Sequence, residues 1–124
     1  MVALALTSDL MGLGMAPALA QLAGDSVAAV TAVGTAQAGA AALTGTINNV
    51  TTSAGQTAVV LPSNWPLASS ILVYTNSATT ALVFPPSGGN INEGAANASV
   101  NVAQGKATCF VRISATKWIA LAGA

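Results

Sequence analysis

The ionised side chains and the one thiol are few enough to name. They are Asp9, Asp25, Glu93, Lys106, Arg112, Lys117 and the single Cys109, with no histidine in 124 residues. Carboxylate acid–base catalysis needs two carboxyl groups held in one cleft. Asp9 and Asp25 instead lie in an apolar N-terminal stretch, and Glu93 sits in the turn Asn92-Glu93-Gly94. These positions read as helix caps and a solvated turn. Cys109 falls between Thr108 and Phe110 in a strand-like run, with no His to serve as its base, so it reads as a small buried apolar residue. It has no partner for a disulfide within the chain, and zinc sites built from His and Cys are excluded. The run Gly88-Gly89-Asn90-Ile91-Asn92-Glu93-Gly94 has neither the lysine nor the following helix of a phosphate-binding loop, and reads as a turn between strands. The expectation is a protein that is not an enzyme, with no catalytic residue, no cofactor and no metal.

Three acidic and three basic residues give a formal net charge of zero, while 53% of the chain is apolar and only 4% aromatic. Lys106, Arg112 and Lys117 are too few to neutralise a run of phosphates, so a nucleic-acid partner is not expected. A charge-poor chain near zero net charge tends to self-associate, which suggests a surface covered by something else. The N-terminal stretch lacks the basic start of a secretion signal, and Ser8-Asp9 interrupts its apolar run. The best candidate for a membrane span, residues 27–43, includes Thr31, Gly34, Thr35, Gln37 and Gly39 and is too weakly apolar to cross a bilayer.

The elements that must position these residues fall into two regions. Residues 1–45 read as an N-terminal arm. Within it, Ser8 or Asp9 caps a first helical turn carrying Leu10, Met11, Leu13 and Met15. Pro17 opens a second short helix, from Ala18 to Ala23, that ends at Gly24. Residues 25–45 are rich in alanine, glycine, valine and threonine, with side chains too small to build a core. In isolation this stretch should be poorly ordered, so a neighbouring subunit is expected to hold it.

Residues 46–124 read as a β-module. Candidate strands are Thr46–Thr52, Thr57–Leu61, Ser70–Thr75, Ala81–Phe84, Ala98–Ala103, Ala107–Ser114 and Lys117–Leu121, separated by turn residues such as Pro85-Pro86-Ser87-Gly88-Gly89 and Gln104-Gly105. Cys109, Val111 and Ile113 share one strand face, and Phe110 and Arg112 the other. Close spacing with no helical pattern between strands predicts a mainly β fold, a small antiparallel β-sandwich or barrel of about seven or eight short strands. The large side chains are Trp65, Tyr74, Phe84, Phe110 and Trp118, a thin supply for one core, which favours an obligate homo-oligomer. Trp118 reads as core. Trp65, in Ser63-Asn64-Trp65-Pro66, has two readings: a plug under the end of the module, or a contact with a neighbouring subunit or a ligand.

These words also carry a resemblance. Ala58-Val59-Val60-Leu61-Pro62, Ile71-Leu72-Val73-Tyr74-Thr75-Asn76, the turn-bearing Ala81-Leu82-Val83-Phe84-Pro85-Pro86-Ser87-Gly88-Gly89-Asn90-Ile91-Asn92, then Ala103-Gln104-Gly105-Lys106 and the late Lys117-Trp118, look like a small β-module of tailed-bacteriophage structural proteins. The opening Leu10-Met11-Gly12-Leu13-Gly14-Met15-Ala16-Pro17-Ala18-Leu19-Ala20 is similar to short N-terminal pieces of some of these proteins. Such modules occur on head decoration (cement) proteins, head fibres and tail appendages. The resemblance implies a virion component and transfers no catalytic residue; among virion roles the expectation is a decoration protein on the outer capsid surface, made in the host cytoplasm, that binds the major capsid protein as a trimer. The arm would anchor through Leu10, Leu13, Met15, Leu19 and Leu22. Two alternatives stand beside this: a tail fibre or tail adaptor, and a carbohydrate-binding module that stacks sugars on Trp65 or Tyr74.

Overall fold

The structure, a computed structural model, describes residues 27–122. The expected helices around Leu10–Met15 and Ala18–Ala23, and the anchor residues Leu10, Leu13, Met15, Leu19 and Leu22, lie outside the described residues. Within them the chain is mainly β, with ten strands and no helix: β1 (Val27–Thr31), β2 (Ala41–Ala42), β3 (Ile47–Thr51), β4 (Ala58–Val60), β5 (Ser70–Thr75), β6 (Ala81–Phe84), β7 (Asn90–Ile91), β8 (Val100–Val102), β9 (Ala107–Arg112) and β10 (Lys117–Ala122). Six of the seven candidate strands contain one of these, and the seventh, Lys117–Leu121, falls one residue short of β10. The three extra strands are β1 and β2, in the alanine-rich stretch, and β7, inside the run read as a turn.

The strands form two sheets, ordered β1-β3-β5-β9-β10-β7 and β2-β4-β6-β8. The chain alternates between them for its first six strands, and each return lands parallel to the strand before: β1 on β3 on β5 in one sheet, β2 on β4 on β6 in the other. Val27 pairs with Ile47 and Ile47 with Leu72, so successive coils take 20 and 25 residues. This is a short β-solenoid rather than the expected antiparallel sandwich or barrel. Parallel neighbours need a long crossover, and here the strand in the opposite sheet supplies it in place of a helix. Between the described strands, antiparallel pairing enters only at the far end, where β8 covers β6, β9 covers β5 and β10 returns along β9.

Residues 27–45, read from sequence as part of the arm, form the first coil. No neighbouring subunit is needed to order them, because β1 and β2 pair with β3 and β4 of their own chain. Small side chains suit this position. Ala28 rests on Gly45, where an added Cβ would lie 2.9 Å from the Ala28 Cβ and 3.0 Å from the Ile47 carbonyl oxygen. Buried Asn48 secures the same corner: its amide oxygen accepts from the Gly45 N–H (3.1 Å), and its amide nitrogen donates to the carbonyls of Gly45 (2.8 Å) and Leu72 (3.3 Å).

The core lies between the sheets. Val30, Val50, Ile71, Val73, Phe110 and Trp118 come from one side, Val59, Ala81, Val83 and Val102 from the other, with Leu43 and Leu61 at the bends. Valine is the commonest core residue, as expected where large side chains are scarce. Thr75 bridges the layers at the far end by donating from Oγ1 to the Val102 carbonyl at 2.9 Å. The loops of the first and third coils are tied together by Gln37, whose Nε2 donates to the Pro85 carbonyl and to Asn97 Oδ1.

Candidate functional site

The chemistry-bearing side chains are dispersed. Glu93, in the turn after β7, pairs with Lys117 at the start of β10 (3.2 Å), with both side chains well exposed. Asp9 and Asp25 lie outside the described residues. Among the described residues Arg112 meets no carboxylate: its Nη1 donates to the Trp65 carbonyl, Nε to the Ser114 carbonyl (3.2 Å) and Nη2 to the Ala115 carbonyl (3.0 Å). The guanidinium thus fastens the β4–β5 loop to the β9–β10 turn. Among the described residues, no group of three or more His, Cys, Asp or Glu is placed to hold a metal, and no helix is long and apolar enough to cross a membrane.

Trp65, a candidate contact or stacking residue, is half-buried in the β4–β5 loop and packs against the core. Its indole N–H is buried without a hydrogen-bond partner. Beside this loop runs an open groove lined by Ala42, Val60, Pro62, Ser63, Asn64 and Pro86, with no charged side chain. Tyr74, the other candidate for sugar stacking, lies elsewhere, on the outer face of the six-stranded sheet. The structure therefore does not bring the two aromatic rings together as one platform.

That outer face is the most distinctive surface. Its outward residues follow from strand alternation: Val27, Ala29 and Thr31 on β1; Ile47, Asn49 and Thr51 on β3; Ser70, Leu72 and Tyr74 on β5; Ala107, Cys109 and Val111 on β9; Lys117, Ile119 and Leu121 on β10. The register lines up five of them. Val27 opposes Ile47, Ile47 opposes Leu72, Leu72 opposes Cys109, and Cys109 opposes Leu121. The result is an unbroken apolar row across five strands, with Val27 72%, Ile47 41% and Leu121 59% exposed. Cys109 is part of it, half-buried rather than in the core as its sequence context suggests. Val111 and Ile119 widen the row on one side. On the other lie Ala29, Asn49, Tyr74 and Ala107, in register with one another. Asn49 and Thr51 there accept from the Asn76 side-chain amide at 2.7 and 3.2 Å. No charged residue occupies either row.

Sequence reading missed this row because its members come from five separate words. The signal within one word was visible, as in Cys109-Phe110-Val111, where Phe110 is buried and its two neighbours turn to the other face. Which words lie side by side was not.

Comparison with known proteins adds little to this geometry. No protein-family model matches the chain, and no curated protein matches it. Among solved structures, the chain is similar to one described as "Structure of a chaperone-substrate complex", with a TM-score of 0.46 and 15% identity over 80% of this chain. It spans 17% of the length of that protein. A likeness of this size carries no argument about function.

Proposed function

We propose that this chain is a structural component of a phage particle, a decoration protein that binds the outer surface of the head, stabilises neighbouring capsid subunits and works as a trimer. The observation that carries the reading is the long, charge-free apolar row on the six-stranded sheet. Monomeric proteins rarely leave contiguous apolar surface of this kind open, and where it occurs it marks an interaction site. The resemblance of the Pro85–Asn92 turn and its flanking strands to tailed-phage modules supplies the particle. In this reading the segment before β1 anchors the protein to the major capsid protein through Leu10, Leu13, Met15, Leu19 and Leu22, and the solenoid projects outward. Nucleic acid and membrane have no part in it.

The test is the copy number of the chain in purified particles, measured by quantitative peptide mass spectrometry against the major capsid protein. A ratio near one to one is expected. A few copies per particle would move the protein to a tail fibre or tail adaptor, and absence from particles would overturn the structural reading. Sugar binding has less support, since Trp65 packs inward and Tyr74 stands alone; a glycan titration followed by tryptophan fluorescence should give no response.

A further inference from the structure

We propose that the row Val27–Ile47–Leu72–Cys109–Leu121 is the seam along which copies of this chain associate, in parallel, around an axis that runs along the row. This names the face by which the oligomer of the preceding section forms, and rests on that reading only for the expectation that copies share one orientation.

The row crosses the strands at right angles, so it runs in the direction in which the coils stack. At a strand spacing of ~4.8 Å, five strands make it roughly 19 Å long. A rotation axis parallel to such a row brings like residues to the same level: Val27 meets Val27, Ile47 meets Ile47, and Cys109 meets Cys109. Every level is then apolar against apolar, whatever the number of copies.

Charge and size both select a second copy as the occupant. The row and its flanking residues carry no ionised group, so nothing along the seam itself would orient a charged partner. The chain's zero net charge removes repulsion between copies. Six strands at ~4.8 Å and about five residues at ~3.3 Å each give a flat footprint of roughly 500 Å² per copy. Packed face to face as a two-fold pair, two such faces bury about 1,000 Å², near the lower bound for a specific interface, whereas around a three-fold axis only the row and its nearest neighbours meet. The one nearby ion pair, Lys117 with Glu93, is satisfied within the chain and sits at the margin of the face.

Same-level cross-linking of the full-length chain tests the proposal. Native Cys109 should be joined to Cys109 of a second copy by a short bismaleimide at micromolar protein concentration. In a Cys109→Ser background, Ile47→Cys and Leu121→Cys should each form covalent dimers with themselves, whereas Asn101→Cys, exposed on the opposite sheet, should not. Light scattering should give a mass above that of one chain, reduced to one chain by Ile47→Asp combined with Leu121→Asp, with circular dichroism confirming that the fold survives.

Several outcomes overturn the proposal. In an antiparallel pair, Ile47 would face Cys109, and the Ile47→Cys, Cys109→Ser protein would not link to itself. An oligomer that forms no cross-links along the row would overturn the seam while leaving the virion reading intact. A monomer with unreactive Cys109 would show that another part of the same chain covers the face.

Discussion

Asn48 and Arg112 show how single polar side chains hold bends that the small apolar core cannot. Asn48 is fully buried and satisfies three backbone groups at once, two on Gly45 and one on Leu72. Asn48→Ala would leave those groups without side-chain partners and open a void between the first and second coils. A loss of about 1–3 kcal/mol is expected, the usual cost of stranding buried polar groups, read as a lowered midpoint in urea unfolding. Arg112 does comparable work near the surface by gathering three carbonyls, a task suited to a forked guanidinium. Alternation along β9 placed Phe110 and Arg112 on one face, but gave no sign that Arg112 would reach the Trp65 loop. Asn48 was equally hidden, since a polar residue in a strand reads as exposed until its partners are known.

At the scale of elements, the short strand β7 illustrates how pairing extends past a strand's end. Asn92 has φ 55° and continues the parallel pairing with its side chain: Oδ1 accepts from the Ala120 N–H at 2.9 Å, while its own backbone N–H donates to the Trp118 carbonyl at 2.9 Å. Asparagine tolerates this left-handed backbone far better than a β-branched residue. Asn92→Val should therefore loosen β7 from β10 and speed exchange of the Ala120 amide by about tenfold, for a loss near ~1.4 kcal/mol. The preceding turn depends on its two glycines for different reasons. Gly88 has φ +85°, and at Gly89 an added Cβ would come within 2.9 Å of the Thr116 carbonyl oxygen. The sequence marked this region as a turn through Pro85-Pro86-Ser87-Gly88-Gly89. It hid β7, whose two residues show no alternation.

For the whole molecule, stacked coils make stability a neighbour-by-neighbour property. Among the described residues, β1 and β2 are each paired on one side only, whereas β3 and β4 are paired on both. Hydrogen–deuterium exchange at low protein concentration should find β1 and β2 the least protected of the first four strands. If the proposed seam forms, protection of β1 should rise with protein concentration while that of β2, in the other sheet, changes little.

The division between what sequence and tertiary structure each decide follows from this architecture. The shortage of charge, the absence of histidine, the mainly β character and the positions of seven strands were determined by the sequence alone, because composition, two-residue alternation and turn residues are local properties. The first coil escaped because alanine, glycine and threonine give a weak local signal, and such strands become stable only when stacked on a neighbour. The parallel winding escaped because 20 and 25 residues separate stacked positions, an uneven repeat without recurring words. The apolar row was decided by tertiary structure alone. Alternation tells which residues share a face of one strand, but only the register between strands can align Val27, Ile47, Leu72, Cys109 and Leu121 into a single surface.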